Sequence, residues 1–392
     1  MTDASPPGPS PDPGTDVALY VHWPYCTRIC PYCDFNVVRD RGREQEQSDL
    51  VTAILADLQA QRALTGPRRL ASIFFGGGTP SLMAPDAVAR IIATAQTLFP
   101  PAGEIEITLE ANPTDAEARR FAALADAGVN RLSMGVQALD DAALRFLGRD
   151  HSADEALRAV DLAGRAFRRL SIDLIYARLN QTPDQWGGEL TTALGLGFEH
   201  VSPYQLTIEP TTAFGRALAR GTLIPPNEDV AAALFETTQA VLSTAGFDAY
   251  EVSNHARGPA ARSAHNLHVW RGGDYLGLGP GAHGRLTLDG VRTSTVAHRR
   301  IADYVAGVAT GAPWSEREGL TAADAAEERF LLALRTTEGA PVALLSPLGL
   351  TTDTAPVADL IADGFLMLNA GRLIATDQGR PVLDGVLKAL LT

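Results

Sequence analysis

Cysteine is scarce in this sequence and is confined to one short segment. The 392 residues include only three cysteines, at positions 26, 30 and 33. An odd number of cysteines in one cluster excludes the paired disulfide framework of small secreted domains. The pattern indicates instead a site for a metal or a metal cluster in a reducing compartment.

Basic residues and long apolar runs are also lacking. There are 33 Lys and Arg against 46 Asp and Glu, which gives a formal net charge of −13. An acidic chain without a block of basic residues is a poor match for a phosphate backbone, so we expect no nucleic-acid partner. No apolar run approaches a membrane span and the N-terminus lacks a signal-peptide pattern, so a cytoplasmic location is expected. Residues 1–16 are rich in proline and predict a disordered tail.

Six short β-rich runs alternate with amphipathic helical segments along the next part of the chain. The predicted strands are residues 17–22, 70–75, 104–110, 131–136, 170–176 and 200–207. The predicted helices between them include residues 116–127, followed by Gly128, and residues 227–245. Alternating strands and helices indicate parallel βα units. The sequence therefore predicts an α/β fold with a partial TIM-like (β/α)6 barrel over residues 17–250.

The pattern changes in the last third of the chain. Residues 251–320 are interpreted as a region that flanks the barrel and carries the segment HNLHVW. Residues 321–392 predict helices at 322–334 and 355–363, a hairpin of strands 365–368 and 372–376, and a last helix at 381–391. Helices followed by a short hairpin indicate a small C-terminal winged-helix-like domain. Because it lacks a basic stripe, we expect it to pack or to bind a partner rather than DNA.

The three cysteines have the spacing C-x3-C-x2-C, in the segment CTRICPYC. Three thiolates on one loop can each bind one iron of a [4Fe–4S] cubane and leave the fourth iron open. The amino and carboxylate groups of S-adenosylmethionine (SAM) can bind that open iron, and an electron from the cluster can then release a 5′-deoxyadenosyl radical. The alternatives are a zinc site with His22 as the fourth ligand, in a zinc-stabilised α/β domain, and three unligated buried thiols.

Polar or glycine residues follow several of the predicted strands. Their side chains are expected at the end of the barrel where the cysteine loop lies, because such barrels build their sites from the carboxyl ends of the strands. They are Gly77, Gly78 and Thr79 in the loop GGGTP, together with Glu110, Gln137, Arg149 and Asp173. An acid such as Asp173 inside an apolar strand is costly without a partner, which favours a functional role.

These motifs resemble the radical SAM proteins and, among them, the oxygen-independent coproporphyrinogen III oxidase family. The resemblance extends from about residue 18 to the C-terminus and includes the segments CTRICPYCDF, SIFFGGGTPSL, GVQALDD and YLGLGPGAHG. It implies that Cys26, Cys30 and Cys33 bind the cluster. It also implies a set of SAM contacts, namely Tyr20, Tyr32, Gly77, Gly78, Thr79, Glu110, Gln137, Arg149 and Asp173. The family usually reads YGLPGQT after the fifth strand, whereas residues 176–182 here read YARLNQT.

Two branches of that family share these motifs, namely the true oxidases and the HemW-like haem chaperones. The oxidases carry a fourth cysteine two positions after the third, where this chain has Phe35, and a longer N-terminal arm than the short tail found here. The chaperones carry the motif HNxxYW, which residues 265–270 match except that Val269 replaces Tyr. We therefore expect a haem chaperone, with a coproporphyrinogen III oxidase as the alternative, and we assign no catalytic residue.

Membership of the chaperone branch implies that haem is the cargo. The expected partners are acceptor haemoproteins, such as respiratory enzymes at the membrane, and the cluster would serve regulation, a transfer step or assembly of a homodimer. A haem ligand is usually His, Cys, Met or Tyr, and the cysteines are already assigned to the cluster. The candidate haem ligands are therefore histidines, namely His22, His265, His268 and His283. For His265 a structural hydrogen bond is the alternative role.

Overall fold

The computed structural model describes residues 15–391, apart from the side chains of residues 115 and 116. All but the last two residues of the predicted tail therefore lie outside the described residues.

Seventeen strands form within residues 15–391. They are β1 Asp16–Trp23, β2 Tyr25–Cys26, β3 Val38–Arg39, β4 Arg69–Gly77, β5 Glu106–Ala111, β6 Arg131–Gln137, β7 Arg169–Tyr176, β8 His200–Gln205, β9 Asp248–Ala249, β10 His255–Ala256, β11 Asp274–Leu278, β12 His283–Leu288, β13 Val291–Ala297, β14 Trp314–Gly319, β15 Ala340–Pro341, β16 Leu366–Asn369 and β17 Arg372–Ala375.

Fourteen α-helices form within the same range. They are α1 Glu44–Thr65, α2 Pro85–Leu98, α3 Asp115–Ala118, α4 Phe121–Asp126, α5 Asp141–Phe146, α6 Ala153–Ala166, α7 Pro183–Leu194, α8 Ala213–Ala219, α9 Glu228–Thr244, α10 Ala264–Trp270, α11 Ile301–Ala309, α12 Ala322–Leu334, α13 Ala355–Ala362 and α14 Leu383–Leu391. Single 3-10 turns lie at Pro80–Leu82, Pro259–Ala261, Val342–Leu344, Ser346–Leu348 and Arg380–Val382.

The six predicted strands form the centre of one large sheet, and the predicted α/β fold is confirmed. Strands β1, β4, β5, β6, β7 and β8 lie side by side in that order and every neighbouring pair is parallel. Helices connect them, as a parallel sheet requires. The carboxyl ends of these strands consequently meet at one edge, where the cysteine loop follows β1.

The sheet extends beyond the six predicted strands on both sides. Strand β11 is parallel to β1, and β12, β13 and β14 continue from it as antiparallel neighbours. On the other side β10 and β9 add to β8 in antiparallel fashion. The residues expected to flank the barrel thus widen the same sheet, and β12 begins at His283, which places that histidine beside the barrel mouth.

The prediction of one continuous helix over residues 116–127 is wrong, because two short helices, α3 and α4, form there instead. The side chain of Glu117 lies inward and accepts a hydrogen bond from the backbone N–H of Asn112 at 2.8 Å, while Arg120 donates to the carbonyl of Met83. These tertiary contacts override the helical periodicity between the two pieces. Gly128 ends α4 with φ +107°, as its position predicted.

The C-terminal elements largely follow their predicted bounds and form a second apolar core around Phe330, Leu334, Val357 and Leu373. Strands β16 and β17 pair as an antiparallel hairpin, and β15 joins β17. The hairpin turn has positive φ at Ala370 and Gly371, as in the turns that match the twist of a two-residue hairpin. Helix α14 begins at Leu383, after a 3-10 turn, rather than at residue 381. Within residues 15–391, no helix has the length and apolar character needed to span a bilayer.

Candidate functional site

The cysteine loop is closed at its base by backbone pairing. Strand β2, which contains Cys26, pairs in parallel with β3, and the backbone N–H of Val38 donates to the carbonyl of Pro24 at 2.8 Å. Inside the loop, the N–H of Cys33 donates to the carbonyl of Cys30 at 3.2 Å. The three thiols are free, with Cys26 buried and the other two half-buried. The loop thus presents three unpaired thiols from a fixed base.

The chemistry of this thiol set fits an iron–sulfur cluster. Burial raises the pKa of Cys26 to about 12 and that of Cys33 to about 11, so thiolates here need a bound cationic centre to offset the cost of burial. Within the described part of the chain, no three His, Cys, Asp or Glu side chains lie in an arrangement that would hold a single metal ion. Three thiols from one loop can each bind a different iron of a cubane, whereas a structural zinc site requires four ligands in a tetrahedron.

His22 does not complete a zinc site. Its Nε2 is hydrogen-bonded to the carbonyl of Asn36 at 2.8 Å, and its Nδ1 lies 3.1 Å from the hydroxyl of Tyr20. Both ring nitrogens are therefore engaged, and the alternative of a zinc ion held by the cysteines and His22 is not supported.

The glycine loop after β4 is fixed against the segment that leads into the cysteine loop. The N–H of Gly78 donates to the carbonyl of Trp23 at 2.7 Å, and the N–H of Thr79 donates to that of Tyr25 at 2.8 Å. Gly77 has φ +107°, and a Cβ atom there would lie 2.5 Å from the ring of His22. A Cβ atom on Gly78 would lie 2.7 Å from the carbonyl oxygen of Tyr25. Both glycines are therefore required by close backbone approach.

A first cavity of about 390 Å³ opens beside the two loops. It brings together the three cysteines and all the predicted SAM contacts except Tyr20. The members of the two predicted sets that line it are Cys26, Cys30, Tyr32, Cys33, Gly77, Gly78, Thr79, Glu110, Gln137, Arg149 and Asp173. Its volume lies within the range of ligand cavities.

Two partly buried carboxylates line this first cavity. Burial and the nearby charge of Asp173 raise the pKa of Glu110 to about 8, although the N–H of Gly77 donates to its Oε2 at 3.2 Å. Burial raises the pKa of Asp173 to about 6, against the hydrogen bonds of Ser202 and Ser133. Two acids that share a buried space favour a cationic ligand, because a positive charge relieves both the burial cost and their mutual repulsion. The ammonium and sulfonium groups of SAM have that character.

Gln137 supplies an unused polar atom in the same cavity. Its backbone has φ +68°, in the left-handed region, and its buried Oε1 has no hydrogen-bond partner among residues 15–391. A buried carbonyl oxygen without a donor is costly, and a ligand hydroxyl or amino group would satisfy it. This observation supports a ligand of the size and polarity of SAM.

A chain of hydrogen bonds links Cys30 to the glycine loop and includes Asn112, a residue that the sequence reasoning missed. Arg149 donates from Nη1 to the sulfur of Cys30 at 3.3 Å and from Nη2 to the side-chain oxygen of Asn112. The amide of Asn112 donates to the hydroxyl of Thr79 at 3.0 Å, and the backbone N–H of Thr79 donates to the carbonyl of Tyr25, the residue before Cys26. Asn112 was detectable only as the second residue after Glu110 at the same strand end.

A second cavity of about 620 Å³ lies on the other side of the cysteine loop. It contains three of the four predicted haem-ligand candidates, namely His22, His265 and His283. Tyr20 also lies here rather than in the first cavity. Aromatic side chains supply much of the remaining wall, from Phe35, Phe74, Trp270 and Tyr275.

His265 is the histidine of this second cavity that is best prepared to bind a metal. Its Nδ1 lies 2.9 Å from the hydroxyl of Ser72, and its Nε2 has no hydrogen-bond partner within the described residues. Burial lowers the pKa of His265 to about 3, so the ring is neutral at physiological pH. A ring held by one nitrogen with the other left open is the usual arrangement of a metal-binding histidine.

The other candidates differ from His265 in ways that separate their roles. His268, on the same helix, uses its Nε2 in a 2.8 Å hydrogen bond with the carbonyl of Asp274 and does not line the second cavity. His283 is exposed at the cavity rim and makes no hydrogen bond through its ring to the residues that the structure describes. His22 is engaged at both nitrogens, as described above.

Comparison with known proteins identifies two family matches along the chain. The model of the radical SAM superfamily matches residues 20–190, and that of the HemN C-terminal domain matches residues 320–382. The first match contains the cysteine and glycine loops and the strand-end residues of the first cavity. The second match contains most of the C-terminal core.

Several curated proteins are similar over nearly the whole chain. The mouse protein "Radical S-adenosyl methionine domain-containing protein 1, mitochondrial" is 40% identical over 98% of this chain and 89% of its own length. The "Heme chaperone HemW" of Escherichia coli K12 is 37% identical over 96% of this chain and 98% of its own length. The Mycobacterium tuberculosis protein of the same name is 34% identical over 98% of this chain and 97% of its own length.

Among solved structures, the coproporphyrinogen III oxidase HemN from Escherichia coli has the same fold. It superposes with a TM-score of 0.79 and covers 97% of this chain and 91% of its own, at 21% sequence identity. At that identity the likeness concerns the fold alone.

Proposed function

Since the chain belongs to the radical SAM superfamily and, within it, to the family of HemW-like haem chaperones, we propose that it binds haem and delivers it to acceptor haemoproteins. The haem site is the second cavity, and the first cavity holds a [4Fe–4S] cluster together with SAM.

The observation that carries the haem assignment is His265 in the second cavity. The residue lines a space of about 620 Å³ walled by aromatic rings, and its Nε2 is left without a hydrogen-bond partner by the residues that the structure describes. Haem requires an apolar cleft of this kind and one axial ligand. His265 is the first residue of the motif HNLHVW, so the sequence motif and the geometry support the same axial ligand.

In the first cavity, the chain's own residues would hold the cluster and SAM. Cys26, Cys30 and Cys33 provide the thiolates, and Arg149 donates to one of them. Glu110 and Asp173 would bind the cationic groups of SAM, and Gln137 would accept a hydrogen bond from it. A bound cluster of this type supplies an iron that can bind SAM and an electron that can cleave it.

The delivery partners are proposed from the names of the relatives. Two of the relatives above are called heme chaperones, and we infer that this chain also passes haem to acceptor haemoproteins such as respiratory enzymes. A cytoplasmic location and a homodimeric assembly remain part of the proposal.

Replacement of His265 tests the haem site against a matched control on the same helix. His265→Ala should weaken haem binding at least about tenfold and shift the absorption maximum of bound haem, because the axial ligand is lost. His268→Ala, which removes a buried histidine three residues away that does not line the cavity, should leave the spectrum of bound haem unchanged. The measurement is a spectroscopic haem titration of each full-length protein, with thermal unfolding to confirm that each variant is folded.

Two results would count against this assignment. Equal haem affinity and an unchanged spectrum in folded His265→Ala would move the axial ligand to His283, whose ring makes no hydrogen bond to the residues that the structure describes. No haem binding by the unmodified chain would reject the chaperone function itself.

A further inference from the structure

The segment of residues 34–36, directly after the last cysteine, separates the two cavities. Asp34 and Phe35 line both cavities, and Asn36 lines the second. We refer to residues 34–36 as the shared wall. The same loop that carries the cluster cysteines therefore also forms one side of the proposed haem cavity.

Phe35 is the apolar part of the shared wall. Its side chain is 63% exposed, which is unusual for a phenylalanine next to a buried site. The rings of Phe74, Trp270 and Tyr275 line the same second cavity. A flat apolar ligand between these rings would remove the exposed face of Phe35 from water.

Asn36 is held firmly on both its backbone and its side chain. Its carbonyl is hydrogen-bonded to Nε2 of His22 at 2.8 Å. Its side-chain amide donates to the carbonyl of Pro280 at 2.8 Å and to that of Arg299 at 2.9 Å. A Cβ atom at Gly281 would lie 2.6 Å from this amide, so a glycine is needed there. Asn36 thus attaches the shared wall to the segment that leads into β12, which begins at His283.

We propose that Phe35 packs against the porphyrin of haem in the second cavity, and that Asn36 is a positioning residue that holds Phe35 there. This inference rests on the proposed haem-binding function and adds the residues that form the wall facing the cluster. The position at which the related oxidases carry a fourth cysteine would then serve cargo binding in this chain.

Truncation of Phe35 tests the contact, and Val38 offers a matched control. Val38 is an apolar residue of β3, two positions after the shared wall, that is 39% exposed and lines neither cavity. Phe35→Ala should weaken haem binding about tenfold or more, Phe35→Trp should stay within a few-fold of the unmodified chain, and Val38→Ala should not change the affinity. The measurement is haem titration of the full chain after anaerobic cluster reconstitution, with iron content determined for each variant.

A double-mutant cycle tests the positioning role of Asn36. If Asn36 acts through Phe35, Asn36→Ala should weaken haem binding several-fold in the unmodified chain and add nothing when Phe35 is already alanine. A merely structural loss would add to the effect of Phe35→Ala, and that result would reject the positioning role.

The outcomes separate this inference from the function on which it rests. An unmodified chain that binds no haem rejects the proposed function. An unmodified chain that binds haem, together with a Phe35→Ala variant of equal affinity, rejects the packing contact and leaves the function intact.

Discussion

Glu110 and Asp173 are the residues on which the proposed SAM site depends most. Both are partly buried, line the first cavity and lie off the cysteine loop. Glu110→Gln and Asp173→Asn keep the shape of each side chain but remove its charge. Each should weaken SAM binding about tenfold or more, since a charge-assisted hydrogen bond contributes roughly 1.5–3 kcal/mol. Calorimetric SAM titration of the reconstituted protein measures this.

The control for these variants is an exposed acid near the same strand. Glu104→Gln should not affect SAM binding, because Glu104 lies at the surface in a pair with Arg168. Iron and sulfide content should stay unchanged in all three variants. If both cavity variants bound SAM as tightly as the unmodified chain does, these carboxylates would not belong to the SAM site.

The elevated pKa of Glu110 also predicts how stability depends on pH in the protein without cluster or SAM. Its pKa is about 8 in the folded chain against an ordinary 4.5, because burial and Asp173 disfavour the charged form. Between pH 4.5 and 8, the folded state therefore keeps a proton on Glu110 that the unfolded state releases. The stabilisation that follows from this difference is fully present below pH 4.5 and is lost as the pH rises through 8. Glu110→Gln should make the melting temperature fall less between pH 5.5 and 8.5 than in the unmodified chain. If the melting temperatures of the two proteins changed by the same amount between these pH values, Glu110 would be charged in the folded chain.

The sequence predicted some of the residues that line the candidate site and missed others. The cysteines and the GGGTP glycines were predicted because their spacing is tied to a specific chemistry. Asn36 and Asn112 were missed because an asparagine after a strand or in a loop has no distinctive pattern, and their importance lies in partners far along the chain. Tyr20 was predicted among the SAM contacts but lies in the second cavity, where its hydroxyl meets the ring of His22 two residues further on.

At the level of elements, the loop after β7 keeps a backbone that suits glycine although it has lost both glycines of the family motif. Ala177 and Asn180 stand at those positions with φ of +58° and +56°. Asn tolerates the left-handed region better than Ala does. Asn180→Ala should therefore lower the free energy of unfolding by about 1 kcal/mol, while Asn180→Gly should be close to neutral.

Leu179→Ala is the matched control for this loop, because Leu179 is an exposed neighbour without a positive φ. Urea denaturation of the three variants provides the comparison. Equal losses for Asn180→Ala and Asn180→Gly would mean that the asparagine side chain, and not the backbone conformation, stabilises the loop.

The prediction of elements succeeded where one periodicity dominated. The parallel strands of the barrel are apolar runs buried on both faces, and such runs are recognisable in the sequence. The helix over residues 116–127 failed because Glu117 and Arg120 bond to distant residues, which local periodicity does not reveal. The antiparallel strands β12 to β14 were not predicted as part of the sheet, since their pairing with the barrel depends on contacts that form only in the folded chain.

At the scale of the whole molecule, the proposed cluster and SAM site lies in one cavity and the proposed haem site lies in another. The first, at about 390 Å³, lies at the small end of ligand cavities and is lined by the proposed cluster and SAM residues. The second, at about 620 Å³, has the histidines and aromatic rings. The shared wall, with Phe35, stands between them. A tetrapyrrole in the second cavity would therefore be separated from SAM by this wall.

That separation predicts which activity the complete protein lacks. Decarboxylation of a propionate requires the reacting carbon to be held close to the SAM-derived radical and away from water. The reconstituted protein should therefore bind about one haem per chain but form no protoporphyrinogen IX from coproporphyrinogen III under reducing, anaerobic conditions with SAM. Chromatographic analysis of the porphyrin products, with a coproporphyrinogen oxidase as the positive control, makes the measurement. Sustained formation of protoporphyrinogen would restore the oxidase alternative, because it would require the two cavities to communicate across the shared wall.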